Sequence, residues 1–304
     1  MDLTAYRAIE ANRSRSRLFA ALSAALLAVL FAISVWILGP DGVRPVSSLG
    51  IFIASAMFGG RDVLLQLLGA REMVPAAATK RFFRRLEVIS VGLGMKALPA
   101  VRLVVSGNPN ALAIERIGQV GTLVVTNRLL DLDEVELDAV LAHELFHLSS
   151  AFVGLRSVMG LFRGLVMSLV ATRVVWHWVA IAAVLILAVV ALGPAPLVFL
   201  VFVAIYLVAE ARIARQREYL ADAQAVLVTR HPEGLIRALR RLSSDDPAAG
   251  SIAPRAQSLT SDAERLAASL WIVRPLTVGA SWASRLFDAH PSTADRLRRI
   301  ERMS

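Results

Sequence analysis

The segment His143-Glu144-Leu145-Phe146-His147 sets two imidazoles four residues apart, with a carboxylate next to the first. On a helix, residues i and i+4 share a face, so both rings can bind one metal ion while Glu144 lies beside it. The chemistry this allows is metal-assisted hydrolysis with a carboxylate general base. A catalytic zinc site needs three protein ligands and a position left for water. The 304-residue chain has no cysteine, which removes thiolate ligands, thiol nucleophiles, disulfides and iron–sulfur clusters. The third ligand must be His, Asp or Glu, and there are only five histidines. Downstream, Arg215-Gln216-Arg217-Glu218-Tyr219-Leu220-Ala221-Asp222 reads as helix, with Glu218 and Asp222 on one face. One of them can bind the metal while the other accepts a hydrogen bond from a ligand imidazole. Spacing alone does not say which, and a solvated helix face would show the same pair.

The elements that must position these residues follow from local patterns. Thr79–Leu93 has helical apolar spacing at Phe82, Phe83, Leu86 and Ile89, with basic residues on the other face. Val101–Ser106, Ala111–Ile114 and Thr122–Thr126 are short apolar or β-branched runs bounded by turn residues, and they predict a small antiparallel sheet. The motif helix begins near Asp131 or Asp133, where Glu134 lies three residues after Asp131 in the manner of a capping box. It continues to about Arg163. His231-Pro232-Glu233 predicts another helix start, residues 243–262 a polar loop, and His290-Pro291-Ser292 the entry to a last helix.

Hydrophobic residues make up 56% of the chain and charged residues 19%, and mean hydropathy is +0.61. That balance excludes disorder and argues for membrane segments. Leu18–Leu38 is apolar and uncharged over roughly the thickness of a bilayer core, and longer than a signal-peptide core. Val46–Gly59 follows, then Val174–Leu192 and Leu197–Ala209 on either side of Gly193-Pro194-Ala195-Pro196. Arginines flank the outer ends of both pairs, so each pair reads as a hairpin with its ends in the cytoplasm. His177, between Trp176 and Trp178, belongs to an interfacial belt rather than to a ligand set. The net charge of +9 is thereby accounted for, and no soluble basic module with interleaved aromatics points to nucleic acid.

These residues together resemble a family. Thr126–Leu148 around the motif, the later stretch Ala214–Ala223, and the ending from His290 to Met303 are similar to the HtpX-type membrane zinc metalloproteases, bacterial relatives of the CAAX prenyl endopeptidases. The resemblance covers most of the chain. It implies a mainly α, helical membrane protein with about four transmembrane helices and a cytoplasmic gluzincin-type α+β protease domain. The implied organisation is a membrane hairpin in 1–69 (spans 18–38 and 40–59), a first protease part in 70–172, a second hairpin in 173–210 and a second protease part in 211–304. It implies one Zn2+ per chain on His143, His147 and Glu218, with Glu144 as general base and Asp222 and Arg215 supporting the ligands. His290 is implied as a donor to the oxyanion, or else a helix N-cap, and Asn110-Ala111 as the edge where a substrate backbone pairs. The family commonly has Ser where this chain has Ala214, and His-Pro-Pro where it has His290-Pro291-Ser292; neither change removes a ligand.

The expected activity is zinc-dependent endopeptidase action at the cytoplasmic face of the bacterial inner membrane, with both termini cytoplasmic. The substrates would be polypeptides, membrane proteins above all, in quality control and stress response. Two other readings compete. A site-2-type metalloprotease would bury its motif in the bilayer, where the preceding DEVELD charges are costly; a signalling protease of the BlaR type would carry a large extracytoplasmic sensor, for which 304 residues leave little room. A transporter or non-proteolytic scaffold would want ionisable groups mid-membrane, and the four apolar runs hold no acidic residue.

Overall fold

The computed structural model describes residues 62, 64–114, 121–149, 195–243, 271–272 and 290–303, with isolated positions between 182 and 193. The apolar runs 18–38 and 46–59, most of 174–192 and the expected extension of the motif helix to Arg163 lie outside the described residues. Among those described, no helix is long and apolar enough to cross a membrane. In chain order the elements are β1 (Arg71–Glu72), a 3-10 turn (Ala77–Thr79), α1 (Lys80–Gly92), β2 (Ala100–Val104), β3 (Ala111–Ile114), β4 (Thr122–Thr126) and a second 3-10 turn (Asn127–Asp131). Then follow α2 (Glu134–Ser149), α3 (Ala195–Thr229), α4 (Pro232–Leu242) and α5 (Thr293–Glu301).

The sheet is mixed, not antiparallel as the strand patterns predicted. Its order is β1-β2-β4-β3, with β4 antiparallel to β3 but parallel to β2. Chain order explains this: β3 runs opposite to β2, β4 turns back against β3 and slots between them, so β2 and β4 point the same way. The central position of β4 is written in its residues. Thr122–Thr126 are buried throughout, as a strand covered on both faces must be. Leu123 and Val125 face the core around α2, whereas Val124 joins Leu64, Leu65, Leu68, Val104, Leu112, Ile114 and Trp271 on the far side.

Helix α2 carries the motif and sits at the centre of the molecule. Leu137, Ala139, Val140, Leu141, Ala142, His143, Glu144 and Leu145 are fully buried, so the helix is enclosed all round rather than amphipathic. Of the two expected starts it takes the later, at Asp133, and the capping box is Asp133 with Glu136 rather than Asp131 with Glu134. The Glu136 N–H donates to Asp133 Oδ1 at 2.8 Å and the Asp133 N–H to Glu136 Oε2 at 3.3 Å, while residues up to Asp131 form the preceding 3-10 turn. The basic residues of α1 do not all face outward. Arg81 donates to the carbonyls of Leu130 and Leu132 at 2.9 and 2.6 Å, and Arg85 forks onto Asp138 of α2. On the other side Arg241 of α4 reaches Glu136 at 3.0 Å.

Helix α3 runs unbroken for 35 residues, from Ala195 across the apolar 197–209 run and on through Glu218 and Asp222. The expected boundary at 210 is therefore not a break in the helix. Helix α4 begins with Pro232, whose fixed φ and lack of an N–H suit the first turn. Gly234, in that turn, lets α4 approach the start of α2. A Cβ there would lie 2.6 Å from Val135 Cγ1 and 2.8 Å from its carbonyl oxygen. Alanine would gain roughly 1 kcal/mol of helix propensity but would force the two helices apart. We expect Gly234→Ala to be destabilised by about 1–3 kcal/mol net, measured as a lowered unfolding midpoint in detergent. A raised midpoint would show that the approach is not tight.

Candidate metal centre

One turn of α2 brings His143 and His147 into contact, their Nε2 atoms 3.3 Å apart. Glu218 comes to them from α3, with Oε2 3.5 Å from His143 Nε2 and Oε1 3.4 Å from His147 Nε2. All three side chains are buried. Among the described residues they are the group of three whose ligand atoms lie within 4.8 Å of one another. A tetrahedral ion with bonds of about 2.0–2.1 Å separates its ligand atoms by about 3.3 Å. The donor set and its spacing therefore fit zinc.

Asp222, one turn beyond Glu218, supplies the orientation. Its Oδ1 lies 3.0 Å from His143 Nδ1, which fixes a proton on that nitrogen and leaves Nε2, facing Glu218 and His147, as the atom that would bind a metal. Arg296 of α5 then grips the same carboxylate, Nε to Oδ2 at 2.9 Å and Nη2 to Oδ1 at 2.6 Å. Its Nη2 also lies 3.4 Å from His143 Nδ1. Since both nitrogens bear protons in this tautomer, that approach reflects their common acceptor and is not a bond between them. Arg296 was not singled out from the sequence, yet it is 2% exposed and satisfies the centre's outer carboxylate. The signal was its phase: Arg296 shares the buried stripe of α5 with Ile300, a place where a solvated arginine does not belong.

The remaining candidates take distinct positions. Glu144 is fully buried on α2, one residue after His143. His290 precedes α5 and points Nδ1 at Glu218 Oε2, 3.3 Å away. It is not the N-cap: Ser292 is, accepting from the Asp295 N–H at 3.1 Å. Arg215 lies one turn before Glu218 on α3, half-buried, while the guanidinium on Asp222 is that of Arg296. Ala111 begins β3 and Asn110 immediately precedes it; the outer edge of this strand faces away from β4. Arg299 stacks over the ring of Tyr219 at 3.8 Å, a second contact between α5 and the ligand-bearing stretch of α3.

The electrostatics are those of a buried cluster in need of cations. Burial opposes charge on His143, but the bonds to Asp222 and Glu218 outweigh it and raise its pKa to about 9. Burial likewise opposes ionisation of Glu218, yet His290 and His147 hold it well below the usual carboxylate range. Burial also works against the Asp222 charge, and Arg296 and His143 together offset it, holding the carboxylate below its ordinary value. A dication at the three ligand atoms would take over the balancing that a protonated imidazole otherwise provides.

The profile of a family described as "Peptidase family M48" matches residues 76–304. A "Protease HtpX homolog" of Dictyoglomus thermophilum is 32% identical over 316 residues, covering 99% of this chain and 95% of its own length. Another of that description, from Lactobacillus acidophilus, is 30% identical over 225 residues, 68% of each chain. Among solved structures, that of S. mikatae Ste24p covers 99% of this chain and 67% of its own, at 13% identity and a TM-score of 0.48.

Removing the guanidinium would strand a buried carboxylate. We expect Arg296→Ala to lose about 3–5 kcal/mol of stability, and Arg296→Lys, which cannot fork, to regain only part of it. The check is the unfolding midpoint of the three chains in detergent. Equal midpoints would mean that Asp222 does not depend on Arg296.

Proposed function

The chain belongs to peptidase family M48, and we propose that its centre works with His143, His147 and Glu218 as ligands and Glu144 as the proton carrier. It is a membrane-bound, zinc-dependent metalloendopeptidase. The observation that carries the assignment of roles is the convergence of three buried ligand atoms at 3.3–3.5 Å, with Glu144 on the adjoining turn of the same helix.

Bound there, zinc supplies Lewis-acid chemistry, polarising a carbonyl and acidifying water towards a pKa of about 7. Glu144 accepts the proton of the attacking water as its oxygen adds to the scissile carbonyl. It then delivers that proton to the amine as the C–N bond breaks, so one carboxylate serves both steps. His290, beside Glu218, donates to the oxygen that becomes negative. Asp222 and Arg296 keep His143 in one tautomer and orientation. Arg215 steadies the ligand-bearing stretch of α3. The substrate lies extended along β3 at Asn110 and Ala111, held by main-chain bonds that tolerate many sequences.

The wider reading has the active site at the cytoplasmic face of the bacterial inner membrane. There it clears polypeptides, membrane proteins above all, as part of quality control. Support comes from the apolar runs 18–38, 46–59, 174–192 and 197–209 and their arginine-rich flanks, which favour cytoplasmic ends. It also comes from the continuity of α3. At 1.5 Å per residue, Glu218 follows the last residue of the 197–209 run by only about 14 Å. A substrate leaving the bilayer would meet the centre within a few residues.

The test compares zinc content and casein cleavage in purified chains in detergent. We expect Glu144→Gln to keep one zinc and lose hydrolysis by about 10²–10⁴-fold, and Glu218→Ala to lose both. Retained turnover in Glu144→Gln would remove the proposed base.

A further inference from the structure

The outer edge of β3 is not bare. Trp271 pairs with Leu112 in the antiparallel sense, and the Ile272 N–H donates to the Ala111 carbonyl at 2.9 Å. In a continued ladder the partner groups of this pair would bond in return. Here side chains engage them. The Ala111 N–H donates to Asn110 Oδ1 at 3.0 Å, and the Ile272 carbonyl accepts from Arg296 Nη1 at 2.7 Å. The two residues alternate as strand residues do. Trp271, 3% exposed, packs with Leu64, Leu112, Ile114 and Val124 on one face of the sheet, while Ile272, 1% exposed, joins the core around α2 on the other.

We propose that Trp271–Ile272 is the chain's own occupant of the substrate edge, so that a substrate strand binds by displacing it. This rests on the reading that substrates pair with β3 at Asn110 and Ala111. Three observations carry it. The occupant is antiparallel to the edge and hydrogen-bonds the main chain there, the mode by which an added strand is held. At the Asn110 end the pair does not bond in return, because the Ala111 N–H is taken by Asn110 Oδ1 and the Ile272 carbonyl by Arg296. And the guanidinium that holds its carbonyl is the one that holds Asp222 beside His143, so the occupied edge and the metal centre share one residue.

The occupant also states what the edge accepts. A displacing segment has to refill the Trp271 slot with a large aromatic side chain and the Ile272 position with a branched aliphatic one. The substrate class is thus extended apolar segments of aromatic–aliphatic sequence, which water-soluble folded proteins keep buried.

The test uses the full zinc-loaded chain in detergent and peptides that carry either Trp-Ile or Ser-Gly at the corresponding positions. Zinc content, and cleavage lost in Glu144→Gln, establish the centre independently of the edge. The chain has no native cysteine, so Leu112→Cys with Trp271→Cys creates a single addressable pair at directly opposed positions. We expect oxidation to form the disulfide and suppress cleavage, and a phosphine reductant to restore it. Freeing the edge in Trp271→Gly should raise kcat/KM on the order of tenfold, as expected when an occupant holds the site about nine parts in ten. That gain should be greater for the Trp-Ile peptide. Failure of the disulfide to form, equal cleavage before and after reduction, or an unchanged or lowered kcat/KM in folded Trp271→Gly would each overturn the proposal.

Discussion

A buried carboxylate can be kept ionised only by partners that leave none of its oxygens to a dry interior, and in this molecule Asp222 has two such partners from different helices. His143 comes from α2 and Arg296 from α5, and both reach a side chain of α3. The consequence is mechanical as well as electrostatic. With burial opposing every charge in the cluster, displacement of any one of the three helices would leave a charge unpaired, which costs more than most packing defects. The register that aligns His143 Nε2 with Glu218 and His147 is therefore fixed by the second carboxylate of α3, one turn past the ligand.

Most of the centre could be read in the chain because its residue types and spacings are chemical requirements. Two histidines four apart beside a carboxylate on one helix have few other uses. The carboxylate pair four apart would also suit a solvated helix face, and Glu218 was singled out only by the family resemblance. The cysteine-free composition narrowed the ligand types further. Arg296 was harder to see. It stands among three other arginines of the terminal stretch, and only its phase relative to Ile300 sets it apart from solvated neighbours. The pairing of Trp271 with Leu112 joins residues more than a hundred positions apart, and no local pattern encodes it.

The sheet shows the same limit. The strands themselves follow from apolar and β-branched runs, but the direction of pairing depends on which strand takes the centre. The uninterrupted burial of β4 was the available clue, since a central strand has no solvent face on which to place polar residues. Likewise the basic stripe of α1 gave the helix but not its orientation. Arg81 and Arg85 reach across to the α2 entrance because it offers them carbonyls and the Asp138 carboxylate, partners contributed by residues some fifty positions away. In each case local periodicity carried the element, and a distant polar partner decided how it docks.

The central claim is that two imidazoles and one carboxylate, drawn from α2 and α3, hold a single zinc ion. The most direct measurement is X-ray absorption at the zinc edge on the purified full-length chain. A shell of nitrogen and oxygen at about 2.0–2.1 Å with outer-shell scattering from two imidazoles is the result expected for His143, His147 and Glu218. Scattering from one imidazole, or from three, would contradict the assignment, the latter by making His290 a ligand in place of Glu218.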